Sequence, residues 1–436
     1  MKRPVKIVAL LIAIGAVAVT MAVLNRTDPA AGVAPAIAGA PADGDIVARG
    51  EYLTRAADCT ACHTVPGSGK PFAGGVAFRL PFGTIYSGNI TPDVKTGIGA
   101  YSDEDFVRAV REGVRRDGRH LYPAFPYTSY TRLSRSDVLA IKAYLASLPA
   151  IAQPNRANEL SFPFNQRWGM AFWNAAFFKS QRFAADPAKP AQWNSGAYLA
   201  TALAHCGECH TPRNLGFGMQ HDREFAGEEL QGWRAYNITS DVKHGIGSWS
   251  DSDVVTYLTT GYAAERATAS GPMGEAVAHS LQFLKPQDAA ALVTFLRTVP
   301  PHEGTNPVEI DAKPPALAAS GGGLPAADEL RTQSQGLKLF EGACASCHQW
   351  SGRGRQSQYA SLAGTRGVND IRAINVTQII LRGVKMRVND TDVYMPAFAD
   401  AYSDGEVAAL ANYVVAHFGG KQGTVTPAEV SKRRML

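Results

Sequence analysis

Cys59, Cys62 and His63 stand in the spacing C-x-x-C-H, and the spacing recurs at Cys206, Cys209 and His210 and at Cys344, Cys347 and His348. C-x-x-C-H is the attachment signature of c-type haem. Two thiols add to the two vinyl groups of the porphyrin. Two intervening residues let both sulfurs reach one porphyrin edge, and the next residue brings an imidazole under the iron as axial ligand. A structural zinc site needs two such cysteine pairs, or one pair with two histidines, so three pairs leave one without a mate. A thioredoxin-like redox pair does not need the following histidine. The motifs take all six cysteines of the chain, so none remains for a structural disulfide. The reading is three covalently bound haem c groups with His63, His210 and His348 as iron ligands.

The opposite face of each iron needs a second group, and the methionine thioether is the common one, raising the potential. Met395, in Tyr394-Met395-Pro396-Ala397, lies 47 residues after His348 and just before the last long helix; Met386 is its competitor. Met273, in Gly271-Pro272-Met273-Gly274, lies 63 residues after His210. The same offset in the first repeat falls on Tyr122-Pro123-Ala124-Phe125-Pro126-Tyr127, where Phe125 takes the slot and cannot coordinate iron. The first haem is then five-coordinate, or takes His120, or borrows Met170, and its potential should lie below the other two.

These residues need helices to place them. In the first repeat, Gly50-Glu51-Tyr52-Leu53 opens a short helix that delivers Cys59, and Pro66 to Gly83 reads as loop. Ser102 with Asp105, and Ser134 with Asp137, carry the N-cap spacing of two further helices. The second repeat keeps the order. Gly196-Ala197-Tyr198-Leu199 precedes Cys206, and Asn237-Ile238-Thr239 answers Asn89-Ile90-Thr91. Gly245-Ile246-Gly247 and Ser250 follow, and a closing helix follows Pro286. Matching landmarks in matching order indicate duplicated domains. The third repeat is shorter, with a helix near Val376–Arg382 and a last helix capped by Ser403 and Glu406. The division is 46–150, 190–300 and 329–422 for the three repeats, with a connector at 151–189, a Pro/Ala/Gly linker at 301–328 and a tail at 423–436. The linker suggests independent placement of the third repeat. In the connector, Arg167 to Phe183 reads as a helix crowded with Trp168, Phe172, Trp173, Phe177 and Phe178. Those rings either fill a seam between domains or form a docking face for membrane or a partner.

The 436 residues suffice for three domains, and 45% hydrophobic with 19% charged is an ordinary globular composition. The net charge of +5 is mild, and no basic stripe interleaved with aromatics points to nucleic acid. Lys2, Arg3 and Lys6 precede an unbroken apolar run of 18 residues, Ile7 to Leu24. That is about 27 Å of helix at roughly 1.5 Å per residue, near the thickness of a bilayer core, and long for a signal h-region. Segment 1–26 reads as a membrane anchor, with its basic end cytoplasmic, or as a cleaved signal peptide; 27–45 reads as a flexible tether. Covalent haem is attached outside the bacterial cytoplasm, so the body is expected in the periplasm.

Three C-x-x-C-H domains, the paired Asn-Ile-Thr…Gly-Ile-Gly segments, Leu121-Tyr122-Pro123-Ala124, Phe162-Pro163-Phe164-Asn165 and Cys209-His210-Thr211-Pro212-Arg213-Asn214 resemble the triheme cytochrome c subunits of membrane-bound periplasmic dehydrogenases. That family includes the subunits serving gluconate, alcohol, sorbitol and fructose dehydrogenases, and related cytochromes serve molybdenum hydroxylases. The resemblance implies a mainly α fold of three class I cytochrome c-like domains in tandem, preceded by one N-terminal hydrophobic helix. It implies a catalytic dehydrogenase partner of flavin, PQQ or molybdenum type, with room for a small third subunit, and ubiquinone as acceptor. By position it implies His63, His210 and His348 as proximal ligands and Met273 and Met395 as distal ones. In the alcohol and gluconate types a methionine stands where this chain has Phe125; Tyr-Pro-Ala-Phe-Pro-Tyr is closer to the molybdenum-hydroxylase branch. Two other readings compete with an electron-transfer subunit: a haem enzyme using an open first iron, and a free-standing carrier donating to a terminal oxidase.

Overall fold

Glycine marks where the helices cross. A Cβ on Gly50 would lie 1.9 Å from the Ala140 carbonyl oxygen, and one on Gly336 would lie 2.4 Å from the Ala409 oxygen. Each glycine lets an opening helix lie directly on the closing helix of its repeat: Ile46–Ala56 on Arg135–Ser147, and Glu329–Ala343 on Asp404–Gly419. The structure, a computed structural model, describes residues 35–41, 44–304, 307–308 and 329–435. The apolar run Ile7–Leu24 and most of the linker 301–328 lie outside the described residues. Among the described residues no helix is long and apolar enough to cross a membrane.

Helices begin where the serine spacing places them. Ser102 and Asp105 form a reciprocal capping box at Asp103–Glu112, as do Ser250 and Asp253 at Asp251–Thr260 and Ser403 and Glu406 at Asp404–Gly419. Each box satisfies backbone donors that the first turn cannot use. Ser134 caps Arg135–Ser147, but the Asp137 carboxylate does not return the bond. It is buried, where it accepts from Arg49 Nη2 at 2.6 Å and from the Tyr198 hydroxyl at 2.7 Å.

The chain forms two compact units, residues 1–208 with 213–219, and 209–212 with 220–436. The first contains the first repeat, the connector, and the opening helix of the second repeat, Ala191–Tyr198, which continues as a π-helical turn through Leu203. The loop stretch Pro66–Gly83 carries part of a small sheet: Ala77–Leu80 pairs antiparallel with Gly83–Tyr86, and Glu159–Leu160 adds to its other edge. The connector helix is shorter than its composition suggests, Gly169–Phe177, and Phe178 is extended. Beyond it Arg182 is buried, donating to the Thr131 carbonyl at 2.6 Å, and Phe183 N–H donates to the Arg132 carbonyl at 3.0 Å. These tertiary bonds outweigh helix propensity. Of the connector rings, Trp173 Nε1 donates to the Gly216 carbonyl at 2.7 Å and Phe177 packs on Gly216 and Gly218, while Trp168 and Phe172 stay exposed.

The second unit joins the rest of the second repeat to the third. Its third-repeat core packs Phe340, Val368, Ile380, Leu381, Leu410 and Phe418. The expectation of an independently placed third repeat does not hold. Arg234 pairs with Asp370 at 3.1 Å, Gln378 Nε2 donates to the Gly232 carbonyl at 3.1 Å, and the Tyr359 hydroxyl donates to the Thr260 carbonyl at 2.7 Å. A linker's composition records its own stiffness, not the affinity of the surfaces it joins. The tail also differs from expectation: Pro427–Met435 is a helix, with Val430 buried and Arg434 bonded to Asp404 and to the Ala399 and Tyr402 carbonyls.

Candidate functional site

Each C-x-x-C-H motif forms a short helix: Cys59–His63, Gly207–His210 and Ala345–His348. Two start from a left-handed residue, Asp58 (φ 51°) before Cys59 and His205 (φ 39°) before Cys206. None of the six cysteines is joined in a disulfide.

The three imidazoles share one arrangement. His63 Nδ1 is 2.7 Å from the Gly88 carbonyl oxygen, His210 Nδ1 is 2.6 Å from that of Tyr236, and His348 Nδ1 is 2.7 Å from that of Ala360. A carbonyl only accepts, so each Nδ1 carries the proton and Nε2 keeps its lone pair, the tautomer that binds iron. Burial lowers the pKa of all three rings, which favours the neutral form a ligand requires. The donor set and its orientation therefore fit haem at each motif. Among the described residues no group of three or more His, Cys, Asp or Glu converges as a bare metal site would.

Two of the three acceptors, Gly88 and Tyr236, are followed directly by the Asn-Ile-Thr segments. Asn89 Oδ1 accepts from Thr91 N–H at 2.9 Å and from its hydroxyl at 2.7 Å, and Asn89 Nδ2 donates to the Ile151 carbonyl at 2.8 Å. Asn237 makes the same pair of bonds with Thr239, at 2.8 and 2.7 Å, and donates to the His302 carbonyl. The duplicated asparagine thus braces the backbone just after these two acceptors, a role the sequence repeat does not reveal by itself.

The expected sixth ligands lie on different supports. Met273 is in the first turn of Gly271–His279, just after Pro272. Met395 ends the strand Thr391–Met395, opposite Val384 of Val384–Val388, rather than sitting in a free loop. Both are partly buried. Met386 is buried, with Sδ 3.5 Å from where a Cβ on Gly274 would stand and Cε 3.6 Å from the same point on Gly261. It thus fills the seam with second-repeat helices. In the first repeat Phe125 packs edge-on to Tyr130, centroids 5.5 Å apart. His120 Nδ1 lies 3.2 Å from Asn174 Nδ2, whose amide oxygen accepts from the Tyr127 hydroxyl at 2.6 Å. Met170 is buried on the connector helix.

Two residues near the motifs escaped the sequence reading. Glu208, within the second motif, is buried and accepts from Thr128 Oγ1 at 2.5 Å, Ser129 Oγ at 2.7 Å and Arg213 Nη2 at 2.7 Å. His205 packs edge-on to Tyr130, centroids 5.4 Å apart. The only signal was a charged residue in a spacer position, which the motif itself leaves free.

Helical domains closed around C-x-x-C-H helices, each presenting a neutral imidazole, define a c-type cytochrome. A family model described as cytochrome c matches residues 47–149 and 333–417. The chain is 39% identical over 401 residues to the fructose dehydrogenase cytochrome subunit of Gluconobacter japonicus, covering 89% of this chain and 82% of that one. It is 35% identical to the gluconate 2-dehydrogenase cytochrome c subunit of Pantoea cypripedii over 415 residues, 92% of each chain. It is also 41% identical over 369 residues to a nicotinate dehydrogenase subunit of Pseudomonas putida, covering 84% of this chain and 30% of that protein. The chain belongs to the family of dehydrogenase cytochrome c subunits, electron-transfer proteins with covalently bound haem c.

Proposed function

We propose that this chain carries three haem c groups, one at each of Cys59/Cys62, Cys206/Cys209 and Cys344/Cys347, and passes electrons from a periplasmic dehydrogenase partner to membrane ubiquinone. His63, His210 and His348 are the proximal ligands, and Met273 and Met395 the distal ones. Bound haem supplies one-electron transfer; the protein attaches it, fixes its axial ligands and shields it. The threefold repeat of an imidazole pinned through Nδ1 to a backbone carbonyl carries the reading. The body lies on the periplasmic side of the inner membrane, joined to it by the apolar segment Ile7–Leu24. The partner is a dehydrogenase of the kind named for the relatives, which are subunits of fructose, gluconate and nicotinate dehydrogenases, and the family resemblance implies a flavin, PQQ or molybdenum cofactor in it.

Pyridine haemochrome analysis of the purified chain should return three haems. Purification of the native complex in detergent should bring a larger catalytic chain with it. Two haems per chain, or a chain that migrates alone, sinks the proposal. Phe125 in the methionine slot supports a second reading, a haem enzyme with an open first iron. Carbon monoxide added to the reduced protein separates the readings: substrate chemistry at the first iron requires a spectral shift in one haem of three.

A further inference from the structure

We infer that Tyr236, Trp249 and Arg366 form a pocket for one propionate carboxylate of the second haem, so that the third repeat supplies the cation of the second repeat's cofactor site. The inference rests on the proposal that haem is attached beside His210.

Arg366 is 3% exposed and forms no ion pair among the described residues. Its Nη1 donates to the Asn237 carbonyl at 2.9 Å and its Nη2 to the Gly245 carbonyl, while Nε is buried without a partner. The carboxylate one turn on, Asp370, is engaged by Arg234. Burial lowers the pKa of Arg366 to about 10, and the nearby Arg234 and Arg266 push the same way. A buried cation left without a counter-ion is strongly unfavourable, and carbonyl dipoles alone do not neutralise it.

Two more donors are orphaned at the same place. Tyr236 Oη and Trp249 Nε1 are buried with no hydrogen-bond partner. The guanidinium carbon of Arg366 is 5.5 Å from the Tyr236 ring centre and 5.8 Å from that of Trp249. Three unanswered donors thus belong to side chains gathered at one guanidinium whose charge is unanswered, and what the group lacks is an anion. A water molecule would satisfy donors but not the charge. Tyr236 is also the residue whose carbonyl holds His210, so the pocket begins one residue from the haem ligand. Haem brings its own carboxylates, and the nearby ones of the chain are already engaged, Asp370 by Arg234 and Asp253 by Arg266. The device is particular to the second repeat. The residues matching Tyr236 as imidazole acceptors are Gly88 and Ala360, neither of which has a side-chain donor.

A cation beside a haem carboxylate disfavours the ferric form, which carries one more positive charge than the ferrous. Arg366 is therefore a positioning and potential-setting residue. Redox titration of the intact chain should show three one-electron waves. Arg366→Gln should shift one wave to lower potential and leave the other two in place, and Arg366→Lys should recover most of the shift. Should Arg366→Gln fail to fold, Tyr236→Phe and Trp249→Phe keep the ring packing and remove one donor each. Each should shift the same wave by less, and their combination by more than either. Three unmoved waves in the double variant, or three waves moved alike, overturns the inference. So does a potential in the unmodified protein that follows added phosphate, which would make the anion one from solution. A haem count below three in the unmodified protein fails the underlying proposal instead, and is measured before any variant is made.

Discussion

Sulfur and imidazole differ as iron ligands, and at single residues that difference is what this chain has to work with. Met273 follows a proline in a helix's first turn and Met395 ends a strand just before Pro396, so each backbone is stiffened at the residue proposed as a thioether ligand. Replacing either by leucine keeps the apolar volume and removes the ligand. We expect Met273→Leu and Met395→Leu each to lower the potential of one haem, and each to let one additional haem bind carbon monoxide when reduced. A variant with unchanged potentials would release that methionine from the ligand set, with Met386 as the alternative at the third haem. The haem proposed at Cys59 and Cys62, where Phe125 stands in the methionine slot of the sequence, should already have the lowest potential of the three in the unmodified protein.

The boundaries of elements were legible because caps are written in short spacings. Ser102 and Ser403 open helices where the hydroxyl-to-carboxylate spacing of three places them, and Ser250, read from the sequence only as a repeat landmark, does the same with Asp253. Those boxes have a pH signature. The Ser102 hydroxyl, and then its backbone N–H, donate to Asp105 and hold its carboxyl below the ordinary range; Ser403 does the same for Glu406. A lowered folded pKa means the cap is fully present above the unfolded value, near about 4, and is lost as pH falls through the folded value. Amide protection in the first turns of Asp103–Glu112 and Asp404–Gly419 should therefore decline below about pH 4. Pro286–Leu296, which has no side-chain cap, serves as the control; equal declines in all three would sever the link to the caps. The connector helix was over-read because its aromatic crowding cannot show that Arg182 and Phe183 find backbone partners outside any helix. The Thr426 and Glu429 pair carried the same spacing as the other boxes and opens the last helix, which reading the end as tail overlooked.

For the molecule as a whole, the repeat pattern revealed three C-x-x-C-H segments but not how the second and third combine. Repeat register highlights residues that recur, and the residues joining these two segments do not recur. Arg234, Asp370, Arg366 and Gln378 have specific partners only because the two repeats pack in one unit. Asp370 is the sharpest case. Its side chain is 2% exposed, its Oδ1 accepts from the Arg372 N–H at 3.1 Å, and its only cation within ion-pair distance among the described residues is Arg234, itself 11% exposed. Removing one partner of a buried pair strands the other charge, at a cost of about 3–5 kcal/mol. Arg234→Ala should therefore destabilise the second and third repeats together, in one denaturant transition rather than two. Because the penalty comes from the stranded carboxylate, Arg234→Met with Asp370→Asn should recover much of it. Recovery would assign the loss to charge burial. A double variant as unstable as Arg234→Ala would instead place the loss in the packing of the arginine stem, and two separate transitions would mean that the two repeats do not fold as the single body their shared side chains describe.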